Sequence, residues 1–124
     1  MIKVKNIFEA VEEDDGVRLW VEPIGLTKDL QEWCQVEHLM PHLAPDPRLS
    51  AWFEEHPDGY DYFRGMYHTS LARSAFLPSL KDLASAAKDG TITLLHQGDD
   101  PAHNTGVALY EFLSELQAFP SAQE

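Results

Sequence analysis

The stretch Thr91–Leu113, TITLLHQGDDPAHNTGVALYEFL, decides the fold. Ile92, Leu94 and Leu95 lack polar alternation, as expected of a central strand covered on both faces. The apolar run stops at His96, and Gly98 permits a tight turn. Asp100 is then placed to cap a helix whose first position suits Pro101. Beyond it, Gly106, Leu109, Phe112, Leu113 and Leu116 share one helical face. A strand buried on both sides that leads directly into an amphipathic helix predicts an α/β protein.

Upstream, residues 2–8 and 17–21 alternate apolar and polar side chains around the acidic turn EEDDG, so they read as two more strands. Their short connection favours an antiparallel pair, because a parallel crossover needs about a dozen residues or more. An extended loop would defeat that rule, and the relative direction stays open.

Between the second strand and Thr91 the pattern is helical. Leu30, Trp33, Leu39, Met40 and Leu43 suggest helical turns over residues 28–43, interrupted at Pro41. Asp46 and Pro47 open a helix with the stripe Leu49, Trp52, Phe53, and Asp58 is expected to cap the next, with Tyr60, Phe63, Tyr67 and Leu71 inward. Ser74 opens a third, with Phe76, Leu80, Leu83, Ala84 and Ala87 on one face and Gly90 as its stop. The expected architecture is one compact α/β domain over residues 1–119: a small three-stranded sheet covered by four to five helices. Residues 120–124 are expected to fray.

Composition narrows the function. The chain has 124 residues, 44% of them hydrophobic, enough for one core without disulfides or metals. Nine Lys and Arg against 21 Asp and Glu give a net charge of -12, which repels phosphate backbones and argues against nucleic-acid binding. No run approaches the roughly 18 apolar residues of a membrane span. Cys34 is the sole cysteine and sits in the apolar stretch LQEWCQV, so it reads as a buried structural thiol. The alternating N-terminus shows no signal peptide, and a lone cysteine suits a reducing compartment; cytoplasmic location is expected.

The candidate site lies at the strand-to-helix junction. In open α/β sheets ligands gather beyond the carboxyl ends of the strands, where helix N-termini offer free N–H groups. His96, Gln97 and Gly98 end the last strand, His103 and Asn104 fall at the start of the helix, and Glu22 ends the second strand. Together these form a candidate polar pocket, although Gly98, Asp100 and Asn104 also suit ordinary turn and capping duties. No metal is expected: Pro41 disrupts the i, i+4 pair His38 and His42, and His56 and His68 read as solvated. No Walker loop, GxGxxG or GxSxG is present, and no cofactor is expected.

These residues resemble the YeaO-like branch of the domain of unknown function 488 family over nearly the whole chain. DGVRLWVEPIG stands where that family has a DG-x-R strand ending in DRLWPRG. LAPDPRLSAWFEEHP matches next, then Phe63, Arg64, Tyr67 and Leu71 of YDYFRGMYHTSL. Thr93, Leu94, Leu95, His103, Asn104, Val107, Leu109, Phe112 and Leu113 match the closing TLLY…EHN…VL…FL pattern. The resemblance implies a compact α/β domain with grouped strand ends and carries over no established reaction.

This chain departs from the pattern at its most basic segment. Glu22 takes the Asp position, Pro23 the first Arg position, and the WPR portion is missing before Gly25, so both arginines are gone. An extra segment near CQVEHLMPH offers His38 or His42 to refill the space. Arg18 remains, on the strand face opposite Leu19, and Arg64 remains on its helix.

The sequence favours a non-enzymatic or degenerate protein with a pocket for a small ligand at Glu22, His96, Gln97, Gly98, His103 and Asn104. Two alternatives stand beside it: a hydrolase or transferase using Glu22 or His96 as general base, and a homo-oligomeric module, a homodimer included, that buries exposed Trp20 and Trp52. Trp20 is better suited to the core.

Overall fold

The computed structural model describes residues 1–118; the expected fraying of residues 120–124 falls outside the described residues. Strands β1 (Ile2–Asn6), β2 (Val17–Trp20), β3 (His38–Leu39) and β4 (Ile92–His96) form one sheet in the order β1-β4-β2-β3, with every neighbouring pair parallel. Among the described residues five α-helices complete the α/β fold: α1 (Lys28–Trp33), α2 (Pro47–Glu55), α3 (Tyr60–Ala72), α4 (Leu77–Asp89) and α5 (Thr105–Ala118).

β4 is central, as its composition predicts. All five of its residues are buried, and Leu94 pairs with Val4 on one side and Leu19 on the other. Leu19, Val21, Ile92 and Leu94 face the larger core, built with Phe63, Tyr67, Leu80, Leu109 and Leu113 from α3, α4 and α5. Trp20, Leu95 and Ile7 face the opposite side, where Leu30 of α1 and the buried Cys34 cover them. Trp20 is thus a core residue, and its indole N–H donates to the Ile24 carbonyl at 2.7 Å.

The sheet corrects two expectations. It has four strands rather than three, because His38–Leu39 adds a short edge beside β2. In addition, β1 and β2 run parallel and are separated by β4, where a short acidic turn had favoured an antiparallel pair. The reason is electrostatic. The 3-10 turn Glu13–Asp15 lies over the sheet, where Lys3 Nζ reaches Asp14 at 2.7 Å and Lys5 Nζ reaches Glu12 at 2.6 Å. Arg18 Nη1 meets the buried Asp15 at 2.5 Å, and Thr93 Oγ1 donates to the Asp15 carbonyl. An extended segment reaches up to about 3.3–3.6 Å per residue, so a loop pinned this way returns along the sheet without a crossover helix. Gly16 closes it with φ 64°, where a Cβ would lie 1.9 Å from the Thr91 carbonyl oxygen.

Other boundaries also shift. Strand β1 ends at Asn6, with Phe8 exposed, and β2 ends at Trp20. Helix α1 stops at Trp33, which is exposed, because Gln35 adopts φ 51° and turns the chain into β3. Gly59 rather than Asp58 precedes α3, since a Cβ there would lie 2.5 Å from Trp52. Ser74 caps the turn before α4, whose first helical residue is Leu77, and leaves Phe76 exposed. His68 is half-buried against α5, its Nε2 2.6 Å from the Ala108 carbonyl, rather than solvated.

Candidate functional site

At the carboxyl end of the sheet the connections after β2 and β4 leave toward opposite faces, α1 on one and α5 on the other. This divergence is where doubly wound sheets leave a crevice. Here it opens into a cleft of about 430 Å³.

Glu22, Gln97, Gly98, His103 and Asn104 all line this cleft. His96 does not. Its ring is buried beneath the Gly98 turn, with Nδ1 accepting the Gly98 N–H at 3.0 Å, so the neutral ring carries its proton on Nε2. Burial pushes its pKa down to about 4.

Glu22 is buried at 5% exposure. Its Oε2 accepts the Gln97 N–H at 3.1 Å, and its Oε1 accepts the Thr105 hydroxyl at 2.8 Å. Burial raises its pKa, and the two donors only partly oppose that rise. Among the described residues no salt bridge reaches it. The carboxylate therefore lies beside the start of α5, tied to it through the Thr105 hydroxyl, and its charge opposes an anionic ligand there.

The loop between β4 and α5 differs from the Asp-Pro helix start that its sequence suggests. Helix α5 begins at Thr105, and Asn104 caps it, its Oδ1 accepting the Val107 N–H at 2.8 Å. Asn104 Nδ2 also donates to the Asp100 carbonyl, fixing the preceding turn. Asp100 instead accepts the Ala102 N–H and pairs with His103 Nδ1 at 2.9 Å. His103 packs on Tyr60, ring centroids 4.8 Å apart. The helix can approach the sheet because residue 106 is glycine: a Cβ there would lie 2.7 Å from Val4 Cγ1.

The far wall comes from α2, α3 and the link between them, through Ser50, Phe53, Glu54, Pro57 and Phe63. Sequence reading missed this wall, since only the tertiary path of α2 brings it opposite Glu22. The spacing of Ser50, Phe53 and Glu54 at i, i+3, i+4 was the available signal for a shared helical face. Phe53 stacks on Phe63 at 4.5 Å, and Ser50 Oγ is shielded without a hydrogen-bond partner. His38 and His42 do not refill the space of the missing arginines: His38 is exposed on the edge strand, and His42 packs against Phe76.

Neither retained arginine serves the cleft. Arg18 is buried on the opposite face, donating to Asp15 and to the Cys34 carbonyl, and Arg64 Nη1 pairs with Glu111 at 2.7 Å. Near Arg18, Glu12, Asp14 and Asp15 are the one group of three or more such side chains close enough to share a metal ion among the described residues. Lys3, Lys5 and Arg18 already neutralise it.

A family model described as the inactive DUF488-N3 subclade matches residues 1–123. The chain belongs to that family. An uncharacterized protein of Mycobacterium tuberculosis is 32% identical to this DUF488 member over 88 residues, covering 66% of this chain and 70% of the relative. The uncharacterized protein YeaO of Escherichia coli K12 is 28% identical over 121 residues, covering 93% and 98%. No solved structure matches. No helix among the described residues of this DUF488 chain is long and apolar enough to cross a membrane.

Proposed function

We propose that the protein is a non-catalytic binding protein of the cytoplasm, holding a small neutral or cationic polar molecule in the cleft between the ends of β2 and β4 and the wall of α2. The observation that carries this reading is Glu22: a buried carboxylate, with one hydrogen bond to each oxygen from Gln97 and Thr105, at the edge of an otherwise accessible cleft. An ionised carboxylate has about four acceptor positions, so two remain for a ligand. The subclade's description as inactive and the lost arginines support binding without turnover.

Glu22 and Thr105 also have the spacing of a general base and a hydroxyl nucleophile. Each is only 5% exposed, however, and Thr105 is the first residue of α5, which supports a positioning use of the hydroxyl. His96 as base is disfavoured by its Gly98 hydrogen bond.

Two-dimensional NMR of the 15N-labelled protein tests the reading against a panel of small uncharged and cationic polar molecules. Binding in the cleft shifts the amide signals of Gln97, Gly98 and Thr105. Shifts confined to other surfaces would remove the cleft from consideration.

A further inference from the structure

The chemistry of the cleft narrows its ligand. We infer that it takes a small organic ammonium, its cationic head on Glu22 and its apolar body against Phe53, an inference that rests on the binding reading above.

Charge is the first argument. Glu22, Glu54, Asp99 and Asp100 line the cleft, and no lysine or arginine does. The one basic side chain, His103, is committed to Asp100. An anionic head would meet this field with no partner, and at low dielectric like charges cost more than at the surface.

The arrangement of those carboxylates separates an organic cation from a metal ion. A divalent ion needs several oxygens converging on one point. The acidic side chains of the cleft form no such group among the described residues, since the one close set lies elsewhere, at Glu12, Asp14 and Asp15. Dispersed carboxylates suit an ammonium that pairs with one of them, keeps part of its hydration and feels the others as a general negative field.

Donor and acceptor matching supplies the next step. An ammonium has three N–H donors and no acceptor. Glu22 retains acceptor positions, and Ser50 Oγ on the facing wall is shielded and unpartnered. An ionised carboxylate only accepts, so a ligand N–H fills its free positions without displacing an existing bond, whereas the Ser50 hydroxyl, which donates as well as accepts, does not discriminate.

The remaining wall is apolar and aromatic. Phe53 is half-buried, stacked on Phe63 and flanked by Pro57. Aromatic faces attract ammonium groups and also cover a hydrocarbon stem. A cleft of about 430 Å³ accommodates a single-ring amine.

The test uses three probes with one body and different heads: phenethylammonium, 2-phenylethanol and phenylacetate, titrated into the full chain at low salt and followed at the Gln97, Gly98 and Thr105 amides. Phenethylammonium is expected to bind about tenfold more tightly than the alcohol, as a charge-assisted hydrogen bond implies, and phenylacetate least. Glu22→Gln should abolish most of that preference. Glu54→Gln, at an exposed position, should reduce it by about twofold without touching the fold, and serves if Glu22→Gln does not fold.

If alcohol and ammonium bind equally at these amides, the ammonium inference is overturned while the cleft remains a binding site. If none of the three probes shifts them at millimolar concentration and the uncharged panel also fails, the binding reading falls with it.

Discussion

Thr105 donates its hydroxyl to Glu22 Oε1 at 2.8 Å, tying the first residue of α5 to the chain just beyond β2. This contact joins the two elements whose divergence makes the cleft, and it sets the electrostatics of the site. Thr105→Val keeps the shape and removes a donor from a buried carboxylate, a change expected to destabilise the fold by about 1–3 kcal/mol. Burial already raises the Glu22 pKa above its usual 4.5. For this group stability is greatest below that usual value and is lost as pH rises through the folded pKa, where the buried charge forms. The cost of Thr105→Val should therefore be larger near neutral pH than in mild acid. Urea melts at both pH values that gave equal losses would show that Thr105 does not serve the charged form.

Leu94 tests the assignment of the central strand. It is fully buried between Val4 and Leu19, and Leu94→Ala should cost about 2–5 kcal/mol through lost contacts and a residual cavity. Lys28→Ala, at an exposed helix start, should change stability by less than about 0.5 kcal/mol. Similar losses for both in denaturant melts would contradict the burial described here.

How far these features were legible in the sequence depends on whether local chemistry specified them. The apolar residues Ile92, Leu94 and Leu95 without polar alternation announced a strand covered twice, and the stripe Tyr60, Phe63, Tyr67, Leu71 announced the inward face of α3; all of these are buried. Pairing direction was not local. Nothing within residues 7–16 reveals that Lys3, Lys5 and Arg18 hold the acidic turn across the sheet, because that network exists only once β4 has inserted between β1 and β2. The edge strand His38–Leu39 is too short to carry a periodic signal. The site divides the same way. Residues following the strands were readable from the rule that ligands gather at carboxyl ends, whereas Ser50, Phe53 and Glu54 required the path of α2. His96 shows the limit of reading by position: it ends the strand, yet its ring lies beneath the turn.

That buried imidazole makes a separate prediction. With its pKa pushed from 6.5 down to about 4, His96 is neutral in the folded protein while the unfolded chain takes up a proton at higher pH. Its contribution is therefore fully present above 6.5 and is lost as pH falls toward about 4. The slope reaches at most about 1.4 kcal/mol per pH unit within that window. His96→Gln should flatten this part of the pH profile of stability. Imidazole NMR signals for His96 should stay in the neutral position as pH falls toward about 4. Titration of the His96 ring near its ordinary value of 6.5 would show that it is not held neutral.

The missing arginines make the last prediction. A helix N-terminus contributes only about 0.3–1 kcal/mol to holding a charged group at an exposed site, far less than a paired guanidinium supplies. Here Glu22, held at the start of α5 through the Thr105 hydroxyl, opposes an anion there, and Asn104 already takes the Val107 N–H. Arg18 and Arg64 are paired elsewhere, and the net charge of -12 opposes the approach of anions. Inorganic phosphate, nucleotides and sugar phosphates should consequently bind no more tightly than millimolar. Calorimetry at low salt, where attraction is least screened, gives them their best chance. Replacing Glu22 with Gln should improve phosphate binding only slightly, since it removes repulsion without adding a guanidinium. Micromolar affinity of the unmodified chain for any of these ligands would mean that a basic side chain moves into the cleft, and the cation-accepting reading of Glu22 would have to be abandoned.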